Sequence, residues 1–271
     1  MAYLPTFKRI ILATEGPDLD AGARQYCSQL LPDVEVHLYS PEEFESTFYG
    51  EHDPEELRIL MLHADESGRL QPGSPIIQGI LSSKAPVLVT RHSRGGTVPD
   101  ATIRRIVIPL DGSSAAGQAV SMSSGIARSL DVPVLFVMVI DPARVIPPAY
   151  AYDPEAWGMI EELRQTSHWA LSQAEETLRR DGITVSSELV LGPITSSLAA
   201  TIGNGDLVVM TTHGPDRHRL RNRESIARKT LETVPQPMLI MQAKRQDPVV
   251  VDAYQASSLA DHLQRGSARK E

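Results

Sequence analysis

Cysteine is nearly absent from this chain: Cys27 stands alone among 271 residues. No intrachain disulfide can form, which fits a reducing compartment, and within ARQYCSQLL the residue reads as a small buried apolar group. Long apolar runs are missing as well. No stretch approaches the roughly 18 to 20 residues that a membrane span needs, and MAYLPTFKRIILAT is too short in its apolar part and too strand-like for a secretory leader. A cytoplasmic protein with no membrane partner is expected. Positive charge is in deficit, with 26 Lys and Arg against 34 Asp and Glu, a net −8. That balance disfavours a chain built to coat nucleic acid. Several chemical signatures are absent too. No GxGxxG follows a strand, no Walker loop ends in Gly-Lys-Ser/Thr, no His/Cys spacing suits a metal, and no Ser sits in a G-x-S-x-G elbow.

What is present is a soluble composition, 41% hydrophobic and 22% charged, enough for one large core or two ordinary ones. It is written partly in duplicate. KRIILATEGPDLDAG starts at Lys8 and RRIVIPLDGSSAAG at Arg104, about 96 residues later (104 − 8). Each is a basic pair or residue, a β-branched run, a carboxylate (Glu15, Asp111), a glycine and a segment leading to a helix. Later in each half a proline precedes a continuous apolar strand, KAPVLVTR at 84–91 and PQPMLIMQ at 235–242. The first half is the shorter, by roughly two elements.

The second half alternates strand and helix throughout: RIVIPL, a helix over about 115–130, VPVLFVMVI, a Pro-rich loop, a long helix over about 154–181, GITVSSELVLG, a short helix ITSSLAATIG, DLVVMTT, a helix over about 225–234, and PMLIM. Five strands with helical crossovers make a parallel, doubly wound sheet, whose ligand site lies outside the carboxyl ends of the strands. The first half offers RIILAT, VEVHLYS, LRILMLH and PVLVT as strands, and HSRGGTVPDAT reads as the linker.

These segments carry a resemblance. IVIPLDGSS, LFVMVIDP, LGPITSSLAATI, DLVVMTTHG and PMLIM make the second half similar to a universal stress protein domain, strongly over about 140 residues and more weakly over the first 92. The resemblance implies two such α/β, Rossmann-like domains in tandem: residues 1–95, truncated and degenerate; residues 103–245, fuller; and a tail at 246–271, read as a loose surface segment or a further helix. In nucleotide-binding members a G-x-x-G, nine residues and G-[ST] follow the fourth strand. Here the register gives Thr211, Thr212, His213, Gly214, nine residues, Glu224 and Ser225. The spacing is kept, while two of three glycines are replaced, by Thr211 and Glu224.

A phosphate is held by backbone N–H groups where missing Cβ atoms allow close approach and a helix N-terminus follows. Thr211 and Glu224 add side chains there, and Glu224 adds negative charge. Arg217, Arg219, Arg221 and Arg223 offset it, or form solvated surface. Ser225 reads as a helix N-cap, with or without a phosphate contact. His213 is a lone histidine suited to holding the loop. By resemblance Asp111 contacts the adenosine portion and Val139 lies against the base through its backbone. On its residues alone, Asp-Gly-Ser makes a turn and caps a helix. Gly73 and Ser74 match the end of the phosphate motif in the first half and Pro75 fits the first helical position, while a helix cap explains all three.

The expected function is that of a stress-response binding protein, sensing ATP or another adenine nucleotide through Asp111, Val139, Thr211, His213, Gly214 and Ser225. The alternative is a ligand-free interaction scaffold. Catalysis is not expected, since neither the S-G-G-x-D-S motif of adenylate-forming enzymes nor a receiver domain's lysine is present; slow nucleotide hydrolysis stays open. Expected partners are the chain's own two final strands pairing with each other, a second copy as homodimer, and an unidentified protein.

Overall fold

The computed structural model describes residues 8–14, 20–30, 34–39, 43, 56–64, 69–70, 75–93, 101–212 and 226–243. Nine strands join in one sheet: β1 Arg9–Thr14, β2 Glu35–Tyr39, β3 Glu56–Ala64, β4 Val87–Ser93, β5 Arg105–Leu110, β6 Val134–Ile140, β7 Val185–Leu191, β8 Asp206–Thr212 and β9 Met238–Gln242, in spatial order 2-1-3-4-9-8-5-6-7. The helices are α1 Asp20–Leu30, α2 Pro75–Ser82, α3 Ser114–Leu130, α4 Pro142–Val145, α5 Pro154–Arg180, α6 Ile194–Thr201 and α7 Ile226–Thr233. The long loop after β6, read from sequence as Pro-rich coil, carries α4 and a single 3₁₀ turn at Pro148–Tyr150. Proline at the first helical position explains both, because its fixed φ is helical and its missing N–H is not needed there.

Every strand pair is parallel except one. β4 and β9 run antiparallel, Val87 opposite Ile240, Leu88 opposite Leu239 and Val89 opposite Met238. The two halves of the chain therefore share one sheet, and neither of these strands is an open edge.

Alternation along the strands splits the core into two layers. One face collects Ile10, Leu12, Leu88, Ile106, Ile108, Phe136, Val209, Leu239 and Met241 under α1, α3 and α5. The other collects Ile11, Ala13, Val87, Val89, Val107, Val137, Val208, Met238 and Ile240 under α2, α6 and α7. Both layers run across the β4–β9 seam. The central strands are apolar at nearly every position because both their faces are covered, as a parallel sheet requires.

Candidate functional site

Within the second half the strand order is 7-6-5-8-9, so connections run outward in opposite directions from β5 and β8. Helix α3 leaves β5 onto one face and α7 sits on the other. Between such strands the carboxyl ends frame a crevice, the place where doubly wound sheets bind ligands.

A proline opens this crevice. The Ile106 N–H donates to the Pro133 carbonyl on the β6 side at 2.9 Å, and the Arg105 N–H points to the other side, toward Gly205 at 3.4 Å. With a period of two, residue 109 would donate toward β8, and Pro109 has no N–H. The β5–β8 ladder accordingly covers only Arg105–Asp206 to Val107–Val208, although β5 continues to Leu110 and β8 to Thr212. On its other side β5 stays paired with β6 as far as Leu110 opposite Met138.

Asp111 and Val139 are the residues that follow this last pair, which sets them side by side at the mouth. Asp111 is exposed. Its Oδ1 accepts the Ser113 N–H at 2.9 Å across Gly112, whose φ of +78° suits glycine, and Ser113 Oγ in turn accepts the Ala116 N–H at 3.2 Å as N-cap of α3. The turn reading of Asp-Gly-Ser is thus realised, and it uses one carboxylate oxygen of two. Val139 is half-buried against the α2–α6–α7 layer and sits opposite Val190. Thr211 is half-buried on β8, opposite Met241, and lies on the other face from Thr212. His213, Gly214, Glu224, Ser225 and the arginines between them lie outside the described residues, as do Glu15, Gly73, Ser74 and the tail from 246 on. Of the six candidate residues the structure brings together Asp111 and Val139, with Thr211 across the crevice.

Two polar features escaped the sequence reading. At the opposite, amino end of the same strands, Arg105 donates to Asp206 through Nε at 2.9 Å and Nη2 at 2.6 Å, and Asp206 also accepts the Gly203 N–H at 2.7 Å. The hydrogen bonds to Asp206 push the Arg105 pKa above its ordinary value. A fork-to-fork pair at the first ladder position closes the end that Pro109 does not open. The sequence signal was an Arg and an Asp each leading a strand. The second feature is an open cleft of about 540 Å³ between β7 and α6, lined by Glu188, Val190, Ser196, Ser197, Ala200 and Thr201. Asp111 does not line it, although its Val190 pairs with Val139, and two of its hydroxyls are already donated to carbonyls of α6 and its N-cap, Ser196 to Pro193 and Thr201 to Ser197. The crevice therefore remains the better candidate. Among the described residues no cluster of His, Cys, Asp and Glu suits a metal ion, and no helix is long and apolar enough to cross a membrane.

A family model described as the universal stress protein family matches residues 102–242. A universal stress protein of Methanocaldococcus jannaschii is 24% identical over 148 residues, covering 53% of this chain and 85% of that protein. Among solved structures, a universal stress protein from Archaeoglobus fulgidus is similar with a TM-score of 0.53 at 15% identity, over 88% of each chain. A functionally unknown protein from Pseudomonas aeruginosa is similar with a TM-score of 0.53 at 12% identity, over 88% of this chain and 94% of its own. These structural likenesses speak to the fold alone.

Proposed function

Because the chain belongs to the universal stress protein family, we propose that it is a stress-response binding protein that takes an adenine nucleotide, with ATP as the reference ligand, in the crevice between β5 and β8. The observation that carries this reading is the broken β5–β8 ladder, with an exposed carboxylate at its mouth beside Val139. Asp111 would accept hydrogen bonds from the ribose or base, Val139 would lie along the base, and the segment from Thr211 to Ser225 would meet the phosphates. Binding rather than catalysis is the proposed role. The first half is read as a second, shortened copy of the same unit, retained because its β4 covers the edge of β9. With those edges occupied, a homodimer would have to use other surfaces.

Thr211 and Glu224 at glycine positions favour a second reading, a ligand-free scaffold presenting surfaces to a protein partner. The two separate on one experiment: denaturing the purified protein and analysing the supernatant. Release of an adenine nucleotide in near-stoichiometric amount supports the binding reading. No release, together with no heat on titrating ATP or adenosine, supports the scaffold.

A further inference from the structure

The halves of the chain meet through more than a strand ladder. Arg91, near the end of β4, is 6% exposed. Its Nη1 donates to the Gln236 carbonyl at 2.8 Å, and its Nη2 donates to the Leu231 carbonyl in the last turn of α7. At the other end of that helix, Arg228 donates to the Gln78 side chain of α2. The Leu70 N–H donates to the Glu232 carbonyl at 3.3 Å, and Thr212, the last residue of β8, donates its hydroxyl to the Leu81 carbonyl of α2 at 2.9 Å. Most of these ties meet α7 or the end of β8: Arg91 holds the last turn of α7 and the connection into β9, α7 packs in one core layer with Val208 and Met210 of β8, and Thr212 stands where β8 runs past its ladder with β5.

The choice of side chain is informative. Leu88 opposite Leu239 joins the strands through buried apolar contact. A buried guanidinium is costly by comparison, and here its Nε has no partner among the described residues. What it provides is direction: the last carbonyls of a helix carry partial negative charge, and a cation donating to them fixes the helix end in place. The two halves grip each other with different groups. Arg91 stands three residues after Leu88, and the position three after Leu239 is Gln242, shorter and uncharged. Among the described residues the second half reaches α2 through Arg228 to the Gln78 side chain and through the Thr212 hydroxyl to the Leu81 carbonyl, whereas the cation on helix carbonyls is Arg91 of the first half.

We propose that Arg91 is a positioning residue for the crevice: through α7, the first half sets the geometry of the second half's β8 side, so that the seam and the occupancy of the crevice are coupled. The coupling to a ligand rests on the nucleotide reading above; the grip on α7 does not. Coupling is reciprocal, so a ligand would tighten the seam and a loosened seam would weaken the ligand.

The test uses the intact chain as wild type, Arg91→Lys, Arg91→Met and Gln78→Ala, by amide hydrogen exchange and by calorimetric titration of ATP. Gln78 is exposed, so its variant guards against an Arg91→Met that fails to fold. Expected are faster exchange confined to 206–212 and 226–233, ATP binding weakened roughly 5- to 20-fold in Arg91→Met, a typical coupling, and partial recovery in Arg91→Lys. Unchanged exchange in α7, or a uniform increase over the whole sheet, overturns the positioning role. Selective loosening with unchanged ATP affinity overturns the coupling. A wild type that binds no ATP refutes the nucleotide reading instead, and the exchange pattern alone then decides the grip.

Discussion

Asp111 makes the turn into α3 and, in the proposed reading, also meets the nucleotide, and substitution can separate the two. Asparagine keeps an oxygen for the Ser113 N–H but loses the charge, whereas alanine loses both. Asp111→Asn should leave thermal stability unchanged and weaken nucleotide binding about fivefold, the difference between a charged and a neutral acceptor. Asp111→Ala should in addition cost about 0.5–1.5 kcal/mol of stability through the lost turn hydrogen bond. Equal affinities across the three would remove Asp111 from the site. Cys27 gives an independent check on packing. It is fully buried on α1, and burial pushes its thiol from 9.0 up to about 12. Because the folded value is the higher, its contribution is complete below pH 9 and is lost as pH rises toward 12. The stability difference between wild type and Cys27→Ala should therefore shrink between pH 9 and pH 11, by up to about 1.4 kcal/mol per pH unit, and thiol reagents should label Cys27 only after denaturation. At this scale the sequence marked Asp111 as a candidate through its place after an apolar strand, and the turn that Asp-Gly-Ser predicts there is formed. It could not disclose Arg91, because a basic residue ending an edge-like strand looks the same whether it meets solvent or the carbonyls of a helix 140 residues away.

At the scale of elements, legibility followed periodicity. The doubly wound alternation of the second half was plain because parallel strands covered on both faces read as continuous apolar runs. The short α4 was missed because four residues are too few to show a period, and the 3₁₀ turn was missed because Pro-Pro-Ala-Tyr reads first as loop. Pro109 was the least expected element feature. A proline inside a central strand ordinarily argues against the strand; here β5 forms because the missing donor faces the one side where the ladder is meant to end. Pro109→Val supplies that donor. Its hydrogen bond and the greater freedom of the unfolded chain oppose each other at about 1 kcal/mol each, so stability should move by less than about 1 kcal/mol. The ladder should extend, slowing amide exchange at residues 209–211, and nucleotide affinity should fall as the crevice narrows. Unchanged exchange there would show that something other than the proline holds β5 and β8 apart.

For the whole molecule, the consequence of the β4–β9 seam is cooperativity. Both core layers cross it, so neither half can unfold without exposing apolar surface of the other. Trp157 and Trp169 both lie on α5, so tryptophan fluorescence reports on the second half alone, whereas far-ultraviolet circular dichroism reports on the entire chain. Urea unfolding followed by the two signals should coincide; a lower midpoint by circular dichroism would mean that the first half melts by itself. The net −8 of the chain adds a long-range term, since an acidic molecule repels an anionic ligand, and ATP must overcome that repulsion where adenosine need not. The most direct test of the central claim, that an adenine nucleotide occupies the crevice at the mouth of which Asp111 stands, is therefore a paired calorimetric titration of adenosine and ATP into the intact chain and into Asp111→Asn. The account predicts that the wild type binds both ligands and that the substitution weakens both by a similar factor, because Asp111 meets the part they share. Absence of heat with either ligand in the wild type, or a loss in Asp111→Asn confined to ATP, would contradict it.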